Sequence, residues 1–381
     1  MNTHNNNFSF SNENKLVSRV KQLRWQTLHI DAPLFFILVT LAGIGLFVLY
    51  SASNQDIATV QRQAIRLTLA FAVMLTFAQI PPQRYYQWAP WVYGVGLILL
   101  IAVLLVGKVS QGAQRWISFG LFNFQPSEIM KLAMPMMLAH YLSQKSKPPR
   151  IIPLLISGAI LAIPVLLTAK QPDLGTAILI ASSGIFVLIL AGLNWKLIAG
   201  FIGAGLLSAP MLWHFMHQYQ RDRVLTLLNP ERDPLGKGYH IIQSKIAIGS
   251  GGLFGKGWLH GTQSHLQFLP AHTTDFIFAV IAEELGLIGC FLIICVLVLV
   301  LSRSLYISLN AQDSFSRLLA GSLSFTFITS AFINIGMVIG ILPVVGVPLP
   351  LISYGGSSML TMMASFGMIM SIRTHRKLWT S

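Results

Sequence analysis

Residues 270–285 read PAHTTDFIFAVIAEEL, with Asp275 at the lip of a long apolar run and Glu283 and Glu284 inside it. An ionisable side chain in an apolar span is costly, and is a functional candidate by default. At Asp275, partial burial would raise the carboxylate's pKa toward the range useful to a general base. The alternative there is a helix-start carboxylate favoured by the helix dipole. Glu283 lies about 80° round a helix from Asp275 and about 12 Å deeper, on a cavity wall the two could share. Glu284 points nearly the opposite way, into the bundle. A structural role is the stronger reading for both glutamates.

Three other stretches bring charge to the same end. In QPSEIMK (125–131), Ser127 is a candidate N-cap. Glu128 and Lys131, three apart, share a helix face. They form either a structural ion pair or a lysine held ready for a phosphate. RWISFG (115–120) carries Arg115, whose planar fork suits phosphate oxygens. KQPDLG (170–175) reads as a turn into a helix, with Lys170 and Asp173 as a local pair. Arg62, Lys170, Asp173, Glu283, Thr274 beside the base and Ser353 at the head of SYGGSS complete the candidate substrate-binding set with Arg115, Glu128 and Lys131. One candidate base among cations suits a substrate with a hydroxyl to deprotonate and a diphosphate to expel. A paired-carboxylate glycosidase fits less well, because an anionic leaving group needs no general acid. The apolar body suits a lipid tail.

The elements that must position these groups follow from composition. The chain is 54% hydrophobic and only 10% charged, against about 25% charged in soluble domains. It is an all-α polytopic membrane protein with about ten spans. These start near Ala32, Gln61, Trp88, Ser127, Ile151, Leu174, Trp195, Asp275, Phe315 and Ser358. No signal-peptide cleavage site follows the first run, so it stays as a span. Cys290 and Cys295 both lie in the eighth span and outline neither a disulfide framework nor a metal site. The net charge of +14 is spread along loops, which argues against nucleic acid.

Basic residues in the N-terminal tail, in 144–150 and at the C-terminus place these on the cytoplasmic side. Residues 1–30 form a cytoplasmic tail expected to be disordered, 31–375 one helical membrane domain, and 376–381 a cytoplasmic tail. The one large extracytoplasmic loop, 216–274, falls between spans seven and eight. Within it Tyr239, Ile242 and Ile246 recur at helical spacing, and GSGGLFGKGWLHG (249–261) offers glycines for close backbone approach. Gly255-Lys256-Gly257 is not a Walker loop. SYGGSS (353–358) breaks the helix between spans nine and ten, leaving backbone amides facing a cavity or allowing close packing. The absence of an internal repeat weakens an inverted-repeat transporter reading.

Two long stretches, 219–257 and 334–358, with GAQRWI (112–117), FQPSEIMK (124–131) and QPDLGT (171–176), resemble the SEDS family (shape, elongation, division and sporulation). The resemblance runs from about residue 30 to 378, and LPVVGVPLP (342–350) is similar to its rod-shape branch. It implies a peptidoglycan glycosyltransferase that joins lipid II units outside the cytoplasmic membrane of a bacterium. It also implies a class B penicillin-binding protein as partner, with other elongation-complex proteins, and Asp275 as the essential aspartate. The family's usual P-E-x-H-T-D is altered. Ala271 stands for the Glu and Thr273 for the His, with His272 one place off. The expected reaction is inverting polymerisation of lipid II onto an undecaprenyl-linked glycan. A divalent cation, Mg or Mn, could assist, though no metal-ligand spacing is visible. The rival readings are a lipid II flippase and a non-catalytic scaffold for a penicillin-binding protein.

Overall fold

The structure is a computed structural model. It describes residues 29–110, 113–118, 123–145, 148–197, 199–200, 203, 207–208, 213–214, 218–232, 236–265 and 271–375. All but the last two residues of the tail expected at 1–30, the tail expected at 376–381, most of the seventh span and parts of the long loop lie outside the described residues.

The described residues are mostly helical. Helices α1 (Ala32–Ala52), α2 (Ile57–Ala78) and α3 (Pro82–Val106) lead into a small antiparallel sheet of β1 (Lys108–Ser110), β2 (Ala113–Ser118) and β3 (Asn123–Phe124). Then come α4 (Pro126–Ser143), α5 (Ile151–Lys170), α6 (Leu174–Leu190), α7 (Gln218–Leu228) and α8 (Lys237–Gly251). Helices α9 (Ile277–Leu309), α10 (Ser314–Ile339) and α11 (Ser357–Thr374) close the bundle. Five helices (α1, α3, α5, α9 and α10) are long and apolar enough to cross a membrane, and α6 is a shorter apolar helix. Helix α8 is the one that the spacing of Tyr239, Ile242 and Ile246 predicts.

The two ends of the bundle are held differently. At one end Asp31 caps α1 through the Leu34 amide and takes a two-pronged ion pair from Arg303 of α9, at 2.7 and 2.9 Å. Arg373 of α11 stands 4.0 Å from the same carboxylate. The start of α1 and the end of α11 therefore share one face. The other end gathers the N-termini of α4, α6, α9 and α11 around the functional candidates.

Helix α9 is interrupted at Gly286, whose φ is 65°. The glycine-rich stretch after α8 pairs with this break. Lys256 and Gly257 amides donate to the Glu283 and Glu284 carbonyls, and Leu287 and Ile288 amides donate to Gly252 and Leu253. Irregular backbone at membrane depth must be satisfied by protein, since lipid offers no hydrogen bonds. A Cβ on Gly286 would collide with the Gly255 backbone nitrogen, so the two chains meet only because that surface is bare. Buried Glu283 clamps the same loop. It accepts from Lys256 Nζ at 2.7 Å and from the Thr262 and Gln263 amides at 2.8 and 3.0 Å. Gly286→Ala is expected to lower the melting midpoint of the detergent-purified protein by several degrees, because collision adds to the strain of a left-handed alanine. An unchanged thermal melt would show that the break does not need a glycine.

Candidate functional site

A cavity of about 320 Å³ opens among α4, α6, α10, α11 and β2. Arg115, Trp116, Gln125, Glu128, Lys131 and Asp173 line its charged part. Thr326, Ser330, Thr361 and Ser365 add hydroxyls deeper along α10 and α11. Gly346, Val347 and Pro348 form one wall, and Gly355 to Ser358 form the rim where α11 begins.

Local rules place each charged group. Helix α4 starts with Gln125 as N-cap and Pro126 in the first turn, so Ser127 is not the cap that its residue type predicts. Its hydroxyl is buried without a hydrogen-bond partner. Glu128 and Lys131, one turn apart, form a buried ion pair at 2.7 Å. Thr361 of α11 donates to Glu128 at 2.7 Å, and Lys131 reaches Ser358 at 3.4 Å. Asp173 caps α6 through the Thr176 amide at 3.3 Å and accepts from Gln125 at 2.8 Å. Its ion-pair partner is Arg115 at 3.7 Å, not Lys170. Arg115 also donates to the Pro172 carbonyl at 2.8 Å, and its Nε is buried without a partner. Each of these cavity cations thus has a carboxylate, and Glu128 and Asp173 also sit at the starts of α4 and α6, while the N-terminus of α11, which has no side-chain cap, adds positive potential at the rim.

Asp275 precedes α9 and does not cap it. The N-cap is Phe276, and no side chain caps the helix. The tight turn 271–276 is closed by the Thr274 and Phe276 amides on the Ala271 carbonyl. The carboxylate of Asp275 makes no hydrogen bond or ion pair among the described residues. Burial alone pushes its pKa above the ordinary carboxylate value. A Cβ built on cavity-lining Gly346 would stand 3.5 Å from Asp275 Oδ2, so the carboxylate lies directly against that wall.

The expected site residues divide into those the cavity gathers and those it does not. Arg115, Glu128, Lys131 and Asp173 line it, and Asp275 abuts it. Arg62 does not: its side chain is 57% exposed and pairs with Asp56 at 3.7 Å. One helical turn further in, Arg66 stacks on Tyr354 with 4.5 Å to the ring centroid and lies beside Gly356 on the rim. Lys170 ends α5 exposed, outside the lining. Glu283 is committed to the loop clamp, and Glu284 accepts from Ser51 at 2.6 Å. Thr274 and Ser353 also lie outside the lining and serve the turn itself. The Ser353 hydroxyl donates to the Thr274 carbonyl at 2.6 Å and accepts from the Leu349 amide at 2.8 Å. Among the described residues no cluster of three His, Cys, Asp or Glu side chains could hold a metal ion.

Comparison with known proteins gives one consistent result. The profile of the FtsW/RodA/SpoVE cell cycle protein family matches residues 32–378. Peptidoglycan glycosyltransferase MrdB of Escherichia coli K12 is 52% identical over 359 residues, covering 94% of this chain and 97% of that protein. Probable peptidoglycan glycosyltransferase FtsW of Trichlorobacter lovleyi is 37% identical, covering 91% and 94%. Among solved structures, a chain from work on structural coordination of polymerization and crosslinking by a peptidoglycan synthase complex superposes with a TM-score of 0.78. It is 32% identical and covers 90% of this chain and 97% of its own. The rod shape determining protein RodA of Thermus thermophilus gives 0.69 at 27% identity, covering 91% and 98%.

The Glu128–Lys131 pair permits a direct test of fold against chemistry. Lys131→Met leaves a buried carboxylate unpaired and is expected to cost about 3–5 kcal/mol of stability. Adding Glu128→Gln should restore most of the melting temperature. Polymerisation should stay low in the double variant if the ammonium also meets substrate. Full recovery of both would assign the pair to structure alone.

Proposed function

The chain belongs to the FtsW/RodA/SpoVE family of cell cycle proteins, and on that premise we propose the chemistry of its cavity. The protein is a peptidoglycan glycosyltransferase of cell elongation and rod shape, seated in the bacterial inner membrane as a multi-pass protein. Its substrates are lipid II and an undecaprenyl-linked glycan. Ten spans place both termini in the cytoplasm and the cavity toward the periplasm, with 216–274 as the large outer loop. The shared face of α1 and the end of α11 supports that topology.

Asp275 is the general base. It takes the proton from the acceptor sugar's 4-hydroxyl as that oxygen attacks the donor's anomeric carbon. The bond from that carbon to the diphosphate breaks on the opposite face, and undecaprenyl diphosphate leaves with the electron pair. An α-linked diphosphate becomes a β-1,4 linkage, and the proton passes from Asp275 to water. Arg115 and Lys131 stabilise the growing negative charge, helped by the start of α11 and by Arg66 at the rim in place of Arg62. Glu128 and Asp173 hold those cations in position. They are already engaged by Lys131, Arg115 and Gln125. A class B penicillin-binding protein is the partner, in keeping with the synthase complex among the structural relatives, and other elongation proteins join it.

The observation that carries this reading is the carboxylate of Asp275, without a partner among the described residues and set against the cavity wall. Lipid II supplied to the purified protein with its transpeptidase partner should yield glycan. Asp275→Asn should cut the rate about 100- to 10 000-fold while leaving the protein folded. The sign of the linkage supports that last point. A carboxyl whose folded pKa is raised loses stability as pH rises through it, so the neutral amide removes a burden at pH 7. For the same reason the wild-type rate should fall on acidification at a pH above the ordinary carboxylate range. Movement of lipid II across vesicles without polymer would instead identify a flippase, and no polymer under any partner condition a scaffold.

A further inference from the structure

Asn334 lies in α10, fully buried. Its side-chain amide donates to two backbone carbonyls, Asp275 and Val347, each at 2.8 Å. Both amide hydrogens are used, and the reversed amide would set an oxygen against two oxygens. Its own Oδ1 is buried without a hydrogen-bond partner among the described residues. An apolar residue of the same size would fill the space but leave both carbonyls without this donor, so the choice of Asn is set by the two carbonyls it joins rather than by packing.

The two carbonyls belong to the two segments that meet at the reaction centre. One is the residue carrying the carboxylate. The other follows Gly346, whose φ is +74° and whose missing side chain leaves Asp275 Oδ2 uncovered. Ser353 and Tyr354 add bonds to the Thr274 and Thr273 carbonyls, but they tie the turn to the far end of the 344–356 segment. Asn334 alone among these bridges the carboxylate's own residue to the glycine wall.

We propose that Asn334 is a positioning residue for glycosyl transfer, setting the gap between the Asp275 carboxylate and the Gly346 segment of the cavity wall. This rests on the reading of Asp275 as the base. The charged and titratable groups around that gap are Arg115, Glu128, Lys131 and Asp173 in the cavity, Arg66 on α2, His240 and Lys245 on α8, and His272 in the turn. None of them forms an ion pair with Asp275 among the described residues. The burial of that carboxylate is therefore set by backbone placement.

The test is steady-state polymerisation of lipid II by the chain with its transpeptidase partner, as a function of pH. Asn334→Ala should lower kcat about 100-fold with KM held, and should move the acidic limb to lower pH as water reaches a loosened carboxylate. A wild-type kcat and profile would overturn the inference. So would a loss of rate matched by an equal loss of folded protein with the acidic limb unmoved. Where Asn334→Ala does not fold, Gly346→Ala reads the same gap from its other side. It should lower kcat with KM held, and an unaltered kcat would overturn the inference. Asp275→Asn run in parallel separates the two claims: activity there would defeat the base assignment, whereas inactivity there with normal Asn334→Ala defeats only the positioning role.

Discussion

An anionic side chain can serve as a base only while it keeps its lone pairs free, and the end of this bundle is arranged around that restriction. The other buried carboxylates at or near this end are engaged. Glu128 has Lys131 and Thr361, Asp173 has Arg115 and Gln125, and Glu283 has Lys256 with two amides. The carboxylate of Asp275 sits in the same crowd with no partner among the described residues. What holds Asp275 is backbone, through hydrogen bonds accepted by its own main-chain carbonyl and those of Thr273 and Thr274 rather than by its carboxylate. Holding a group by its main chain leaves its reactive atoms unoccupied.

That solution needs irregular backbone close to the apolar layer, and irregular backbone there is costly unless every amide and carbonyl finds protein. The same device recurs. The 271–276 turn is satisfied by Ser353, Asn334 and Tyr354. The 353–356 stretch is satisfied by Gln63, which reaches the Ser353 carbonyl and the Gly355 amide. The break in α9 is satisfied by the 252–257 loop. Polar side chains such as Gln63 and Asn334, which look out of place in apolar helices, are the matching halves of loops distant in sequence.

This explains what the sequence could and could not disclose. Apolar length and charge placement outlined the long helices within a few residues, and the i, i+3 spacing of Glu128 and Lys131 foretold their pairing. Asp275 stood out because its position was unusual for its type. Partner choice was harder. Arg62 and Arg66 lie on one helix face, and only the fold shows that the inner one meets Tyr354 while the outer one turns to Asp56. Asp173 faces Arg115, 58 residues away, rather than Lys170 beside it. Asn334 opens the NIGMVIG stretch in plain view, yet its meaning depends on two carbonyls 59 and 13 residues away. Ser353 and Glu283 had the right residue types for substrate contact, and long-range backbone contacts claimed them first.

The pairing of the cavity cations also bears on turnover. An unpaired Arg and Lys in a low-dielectric pocket would hold a diphosphate strongly in ground state and transition state alike, and uniform binding does not raise kcat. Carboxylate partners weaken that grip. In the proposed reaction they would let the cations strengthen their contact mainly as negative charge builds on the departing oxygen, and would reclaim the cations once the lipid diphosphate moves off. Helix N-termini are fixed dipoles and offer the complementary part, a constant field with no side chain to reorganise. A polymerase must release a lipid carrier at every cycle, so a site whose positive charge is shared with its own acids suits repetition better than one of bare cations.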